Sequence, residues 1–170
     1  SKFDNAASVI YQGFELEAEY LVNENLKVFL NYGYLDAEYE DFETDINATD
    51  GLDLVEDATH LTPRNAPKYT LGVGGTFSYP IGNGDLEIYA KFARVDDIET
   101  SLTNAPLGRI EARDDISASI GYFTEQWSVV AFGRNLADDE YEAFTPIATL
   151  FAVGSINCGR TYGVELSYEF

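Results

Sequence analysis

The sequence predicts an all-β fold, an antiparallel up-and-down meander of about seven long strands that forms part of a transmembrane β-barrel. Three observations lead to this prediction. Apolar and polar residues alternate with a period of two in seven segments, and the connections between these segments are alternately short and long. Aromatic residues, which make up 14% of the chain, collect near the ends of the segments.

The alternation defines the strands and their two faces. The seven segments are residues 14–20, 26–34, 69–79, 86–92, 116–122, 127–133 and 162–170. In the last segment we expect Val164 to face lipid and Glu165 the lumen, because successive side chains of a strand point to opposite faces. The polar residues expected to line the lumen are Glu15, Glu17, Glu19, Lys27, Asn31, Glu87, Lys91, Asp115, Glu165 and Glu169. This arrangement keeps charges out of lipid, where they are costly.

The connections sort by length as they do in outer-membrane barrels. Residues 22–25, 80–84 and 124–126 form short turns, whereas residues 40–66, 96–113 and 135–159 form long connections. Such barrels have short periplasmic turns and long extracellular loops, so we expect the long connections to face the cell exterior. Residues 149–153 are expected either to extend the last strand or to form a small hairpin.

Aromatic side chains fall where a barrel meets the two membrane interfaces. The residues beside the short turns or the C-terminus are Tyr20, Tyr79, Tyr122, Trp127 and Tyr168. The residues near the long connections are Tyr32, Tyr34, Tyr69 and Tyr162. Transmembrane barrels carry aromatic girdles at both interfaces, so each set is expected to form one girdle.

The composition excludes several function classes. The chain has 30 acidic and 10 basic residues and a formal net charge of −20, whereas nucleic-acid binding needs clustered Lys and Arg. One Cys and one His leave no disulfide framework and no Cys-rich zinc site. Because of the negative charge we expect no nucleic-acid partner. No catalytic triad or cofactor motif is recognised, so we also expect no cofactor and no enzymatic activity.

Two short patterns are candidates for binding sites. Asp45, Asn47, Thr49, Asp53 and Glu56 have the spacing of ligands in a calcium loop. The glycine of this stretch comes one place late and no flanking helices are predicted, so a solvated loop is favoured over a cation site. The glycines of residues 72–75 lie within a strand and lack the following helix of a phosphate loop. Small lumen-facing residues there are expected to leave room for a neighbouring element.

The C-terminal residues resemble a known family. Residues 133–141 (GRNLADDEY) resemble the N-L-x-D-x-x-Y element near the end of TonB-dependent outer-membrane receptors. Residues 159–170 resemble that family's closing strand, and residues 13–17 and 63–69 agree with the same resemblance. By this resemblance the assembly signal of the closing strand is formed by Tyr162, Val164, Leu166, Tyr168 and Phe170.

The resemblance implies a function and a set of partners. The family has barrels of 22 strands around a plug, so residues 1–170 are expected to be a C-terminal barrel segment without the plug and earlier strands. Such receptors import scarce ligands such as iron chelates, cobalamin or sugars across the bacterial outer membrane. The implied partners are outer-membrane lipid, the barrel assembly machinery, TonB through the missing plug, and a small-molecule ligand at the extracellular loops.

Two other readings of the sequence stay open. An independent small outer-membrane barrel, acting as an adhesin, enzyme or structural protein, would need an eighth strand from residues 143–153 or from the N-terminus. A soluble β-sandwich that binds a partner would also show alternating strands, but such sandwiches rarely sort their connections by length.

Overall fold

The computed structural model describes residues 7–46, 54–144, 147–148, 151–152 and 155–170, with the backbone alone for 142–144, 147–148 and 151–152. Its strands are β1 (Ala7–Asn23), β2 (Leu26–Thr44), β3 (Glu56–Asp57), β4 (Tyr69–Ile81), β5 (Gly84–Val95), β6 (Ile98–Glu99), β7 (Arg109–Ile110), β8 (Arg113–Phe123), β9 (Trp127–Arg134), β10 (Glu142–Phe144), β11 (Ile147–Ala148), β12 (Phe151–Ala152), β13 (Ser155–Ile156) and β14 (Thr161–Tyr168). A single 3₁₀ turn, Pro106–Gly108, separates β6 from β7 in the described part of the chain.

Seven strands form one antiparallel sheet in the order β1-β2-β4-β5-β8-β9-β14. Each is hydrogen-bonded to the next strand of this sheet along the chain, and β3 pairs only with the end of β2. The predicted all-β meander of about seven long strands is therefore confirmed. Among the described residues, no helix is long and apolar enough to cross a membrane.

The first two strands extend well beyond their predicted ends. β1 has 17 residues and β2 has 19, and the ladder continues past Tyr34 through pairs such as Tyr11 with Ala37. The sequence pattern does not predict this part of β2, because acidic residues between 36 and 43 replace the apolar members of the alternation. A bulge then shifts the register: Val9 pairs with Tyr39, whereas Ser8 pairs with Asp41.

The bulge creates the main buried cluster of the described residues. It brings Tyr39 and Phe42 together, with ring centroids 4.4 Å apart, although three positions in a regular strand would separate their faces. Ala58 completes the buried cluster, and Val9, Ile46 and Leu61 pack against it. This core lies at the end of the β1–β2 pair, on the side of the molecule that carries the long connections.

The last long connection contains small hairpins. β10 pairs with β13, and β11 pairs with β12 through Ile147 with Ala152 and Ala148 with Phe151. Of residues 149–153, residues 149, 150 and 153 lie outside the described residues; Phe151 and Ala152 pair with β11 and not with β14. The final strand ends at Tyr168, two residues before its predicted end, although the amide of Glu169 still donates to the carbonyl of Gln126 at 2.9 Å.

Candidate functional site

One face of the main sheet is apolar from the second strand to the last. A row of register partners crosses six strands: Leu26, Phe77, Ile88, Ile120, Ala131 and Val164. We call the face that carries this row the apolar face. Several of its large side chains are strongly exposed, including Ile120 at 50% and Val164 at 67%. No second sheet of the described residues packs on the main sheet.

The exposed area of the whole chain is correspondingly large. Its accessible surface is 11,981 Å², whereas a compact monomer of 18.9 kDa exposes about 8,300 Å². Together with the large exposed apolar side chains on one face of the sheet, this area indicates a surface that contacts lipid or another protein. The chain therefore presents a sheet whose apolar face needs a non-aqueous environment.

The predicted girdle residues beside the short turns lie on the apolar face. The register places Tyr20, Tyr79, Tyr122, Trp127 and Tyr168 there. The rings of Tyr122 and Trp127 are 5.5 Å apart, and the Tyr122 hydroxyl donates to the carbonyl of Ile81 at 2.8 Å. Their contact with a membrane interface remains a prediction.

The other end of the apolar face finishes in a charged group. Tyr34 pairs with Tyr69, and the hydroxyl of Tyr69 accepts a hydrogen bond from Nε of Arg94 at 3.2 Å. Nη1 of Arg94 reaches both carboxylate oxygens of Asp114, at 2.9 and 3.0 Å. Leu86 and Arg94 lie on the same face of β5 and are about 27 Å apart along the strand. A tilted transmembrane strand crosses the hydrocarbon core with about 9–11 residues, which is the extent of the stretch from Leu86 to Arg94.

The opposite face, which we call the polar face, carries the residues expected to line the lumen. The register places Glu15, Glu17, Glu19, Lys27, Asn31, Glu87, Lys91, Asp115 and Glu165 on it. Nζ of Lys27 is 3.7 Å from a carboxylate oxygen of Glu19. Because both side chains are half-exposed or more, this pair contributes little to stability.

The glycines of residues 72–75 do not all leave room, which corrects the expectation from sequence. A methyl group on Gly74 would collide with the ring of Phe29, which lies over this glycine and stacks on Tyr89 with centroids 6.3 Å apart. Gly75 faces the apolar side and meets the backbone of Lys27. Of these three glycines, Gly72 alone has room for a methyl group, which would touch the side chain of Asn31 at an ordinary contact distance of 3.7 Å.

The first two long connections are tied together. The side chain of Asn104 accepts from the amide of Thr62 at 2.7 Å and donates to the carbonyl of Thr62 at 3.0 Å. The amide of Asn65 donates to the carbonyl of Glu99 at 2.8 Å. These bonds join residues 54–68 and 96–112 into one folded unit at the end of the sheet.

A buried carboxylate lies inside this unit. Arg109 is 2.8 Å from Asp97 and 3.8 Å from Oε1 of Glu99. Oε2 of Glu99 is buried and has no hydrogen-bond partner among the described residues. Burial raises the pKa of the Glu99 carboxyl; Arg109 opposes this rise and Asp97 adds to it. Nearby, a cavity of about 360 Å³ lies between Arg109, Ile110 and Tyr141.

The candidate calcium residues are only partly described. Asn47 and Asp53 lie outside the described residues, as does Thr49. Asp45 and Glu56 border the connection between β2 and β3, where Thr44 pairs with Glu56. Strands rather than helices therefore flank the stretch. No group of three or more potential metal-ligating side chains occurs among the residues that the structure describes.

The N-L-x-D-x-x-Y element forms a corner between β9 and β14. Asn135 is buried, and its side chain accepts from the amide of Asp139 at 3.0 Å and donates to the carbonyl of Asp139 at 2.9 Å. The side chain of Asn157 accepts from the amide of Tyr141 at 3.1 Å. The contacts of this element with Asn157 and Cys158 join residues that are distant in the sequence, so the sequence pattern alone does not reveal them.

The predicted assembly residues lie on one side of the terminal strand. Tyr162, Val164, Leu166 and Tyr168 pair with Gly133, Ala131, Val129 and Trp127 on the apolar face. The ring of Tyr168 meets that of Phe170 edge to face at 5.3 Å. Within the described residues, β14 has a strand on one side only, so its other edge is open.

The strand order, the two faces and the sorted connections are those of the wall of an outer-membrane β-barrel. No family model matches the sequence. The ferric yersiniabactin uptake receptor FyuA of Yersinia pestis superposes with a TM-score of 0.81 and 20% identity, over 98% of this chain and 24% of that protein. The ferric preacinetobactin receptor BauA of Acinetobacter baumannii superposes with a TM-score of 0.72 and 18% identity, over 98% of this chain and 23% of that protein.

These similarities confirm the resemblance to TonB-dependent receptors at the level of the fold. The two neighbours are outer-membrane receptors of Gram-negative bacteria, in agreement with the predicted outer-membrane location. They are transport receptors and not enzymes. The chain spans about a quarter of the length of each.

Proposed function

We propose that residues 1–170 are the C-terminal barrel segment of a TonB-dependent outer-membrane receptor that imports a scarce ligand. The observation that carries the proposal is the uncovered apolar face, which crosses the sheet and stops at the Arg94–Asp114 pair. Such a face is stable where lipid covers it, and the polar face then borders a wet interior. The superposition on two receptors over 98% of the chain supports the same assignment.

In this proposal the chain forms part of the barrel wall and several extracellular loops. Its last strand is the one that the barrel assembly machinery recognises. TonB acts through a plug that is not part of residues 1–170. The ligand meets the folded unit of residues 54–68 and 96–112 on the extracellular side. The known ligands of the two neighbours are ferric complexes, which favours an iron chelate over cobalamin or a sugar. We propose no catalytic activity and no nucleic-acid partner.

The test of the membrane assignment is the accessibility of spin labels on β14. Single cysteines replace residues 162, 164, 166 and 168 in one set and 163, 165 and 167 in the other, after Cys158→Ser removes the exposed native thiol. In outer membranes that contain the complete receptor, dissolved oxygen should reach the even set, because oxygen concentrates in lipid. A water-soluble nickel complex should reach mainly the odd set. Equal oxygen access in both sets would refute the proposal.

The two alternative functions predict other results. The small independent barrel requires an eighth strand that closes the sheet between β14 and β1, but among the described residues no strand joins the free edge of either. A compact monomer of residues 1–170 in detergent whose gel migration shifts on heating would support that alternative. The soluble sandwich requires a second layer on the apolar face, and a stable, detergent-free monomer would support it.

A further inference from the structure

The terminal strand reaches its place without a short turn. The hairpins β1–β2, β4–β5 and β8–β9 are closed by tight connections, which set the register of each pair. β14 instead follows β9 after residues 135–160, and it pairs with β9 alone among the described strands. The register of β14 must therefore be set by something other than its turn.

The alternation of side chains does not set that register either. Moving β14 by two residues along β9 leaves Val164 and Leu166 on the apolar face and Glu165 on the polar face, because the side-chain period is two. Such a slip shifts the strand by about 7 Å. It would preserve every feature that the sequence pattern specifies, so specific contacts are needed to exclude it.

The corner that follows β9 is hydrogen-bonded to β8, which flanks β9 on the side opposite to β14. The amide of Leu136 donates to the carbonyl of Ile116 at 2.8 Å. The carboxylate of Asp139 accepts from the amide of Asp114 at 3.2 Å. Both partners belong to β8, so the corner is held by β8 and β9 together and forms a rigid reference point for β14.

From this reference point, side chains hold the backbone that enters β14. Oδ1 of Asp138 accepts from the amide of Arg160 at 2.9 Å, and Oδ2 is 3.2 Å from Nη2 of the same arginine. Nη1 of Arg160 donates to the carbonyl of Leu136 at 3.3 Å. Nδ2 of Asn135 donates to the carbonyl of Cys158 at 3.4 Å. Residues 158 and 160 precede the first residue of β14, so a two-residue slip would break these bonds.

The backbone of the corner explains its residue types. Asn135 and Asp138 have φ angles of 48° and 59°, in the left-handed region that Asn and Asp tolerate better than most other residues. On the polar face, the ring of Phe132 lies over Gly163, its register partner. A slip would place Thr161 or Glu165 under this ring, and the Cβ of either residue would require the ring to move.

We propose that Asn135, Asp138, Asp139 and Arg160 form a register clamp that positions the terminal strand on β9. These are positioning residues. Asn135 and Asp138 bind the backbone of residues 158 and 160, the side chain of Arg160 binds back to the corner, and Asp139 holds the corner to β8. By fixing the register, the clamp determines where each side chain of β14 lies along the sheet. It therefore also sets the positions of the side chains on the open edge of β14, which the next strand or the assembly machinery would meet. The inference concerns strand placement and holds whether or not the receptor transports a ligand.

The test reads the register by disulfide cross-linking in the complete receptor with Cys158→Ser. Cysteine pairs at 131 and 164, 131 and 162, and 131 and 166 report the native register and the two slipped ones. Asp138→Gly removes the side chain without straining a positive φ angle. We expect the slipped products to rise about tenfold, because losing the Asp138 hydrogen bonds costs about as much as a tenfold change in an equilibrium constant.

Two matched variants separate the clamp from a general loss of stability. Asp138→Asn keeps an acceptor for the Arg160 amide and should retain the native register. Glu140→Ala changes an exposed acidic residue of the same corner and should also retain it. The native register in Asp138→Gly, or equal slippage in Glu140→Ala, would overturn the proposal.

If the Asp138→Gly receptor does not accumulate in the outer membrane, a second experiment tests whether its folding can be rescued. The cysteine pair at 131 and 164, allowed to form in the oxidising periplasm, should restore recovery if the defect is one of register. No rescue would overturn the clamp. The two proposals can also fail separately. If residues 131 and 164 form the native cross-link but oxygen does not reach the even positions, the proposed membrane function is refuted and the clamp is still supported.

Discussion

Apolar side chains remain exposed along the main sheet, whereas the buried side chains of the described residues lie mostly at the loop end of the molecule. Phe77 and Val164 on the apolar face are 38% and 67% exposed, but Phe42 and Ala58 in the loop-end cluster are 3% and 0% exposed. In the proposed function, lipid covers the sheet and water surrounds the loops. The sheet then needs no internal core, and the loops need one of their own.

The largest expected effect comes from the loop-end core. Phe42→Ala should destabilise the folded unit of residues 54–68 by about 3–5 kcal/mol, because it empties space beside Tyr39 and Ala58. Amide hydrogen exchange should become faster at Ala58 and Leu61, whose amides bond to Phe42 and Ala58. The control Phe77→Ala makes the same substitution on the apolar face and should leave these amides protected. Loss of protection in both variants would contradict the separation of the two regions.

The next effect tests the apolar face itself. Val164→Arg should cost about 2–4 kcal/mol if the side chain lies near the middle of the membrane. The adjacent Glu165→Arg places the same residue on the polar face and should cost much less. The measurement is the amount of folded receptor in the outer membrane. Similar losses for both variants would mean that the two faces of β14 do not differ in environment.

The smallest expected effect concerns pH and the loop end alone. The raised pKa of Glu99 means that the folded loops bind its proton more tightly than unfolded loops do. The contribution of Glu99 to their stability should be fully present below the ordinary Glu pKa and should be lost as the pH rises through the raised pKa of Glu99. Glu99→Gln should flatten this dependence, with a gain at neutral pH below about 1 kcal/mol, because the neighbouring Arg109 is half-exposed.

Hydrogen exchange at Thr100, corrected for intrinsic rates, measures the Glu99 effect, since the Thr100 amide bonds to the carbonyl of Gly108 at 2.7 Å. Asp97→Asn is the matched control. It removes the negative charge 2.8 Å from Arg109 and should loosen the loops at neutral pH. Unchanged pH dependence in Glu99→Gln would show that another group controls the unit.

The strands and their faces could be read from the sequence because both are local properties. Segments such as 14–20 and 86–92 alternate without interruption, and the register confirms Glu15 and Glu87 opposite to Phe14 and Ile88. The extension of β2 to Thr44 was missed because acidic residues interrupt the apolar series there. The girdle and assembly residues follow the same alternation, and their membrane roles stay predictions.

By itself, the sequence determined the seven strands, the two faces, the short turns and the resemblance to a receptor family, because a period of two and the turn residues depend on near neighbours alone. Only the tertiary structure decided which partners meet across long connections. The bulge that joins Tyr39 to Phe42, the Phe29 ring over Gly74 and the bond from Arg160 to Asp138 each link residues whose meeting depends on strand register. Register leaves no trace in the alternation, because a shift of two residues preserves it.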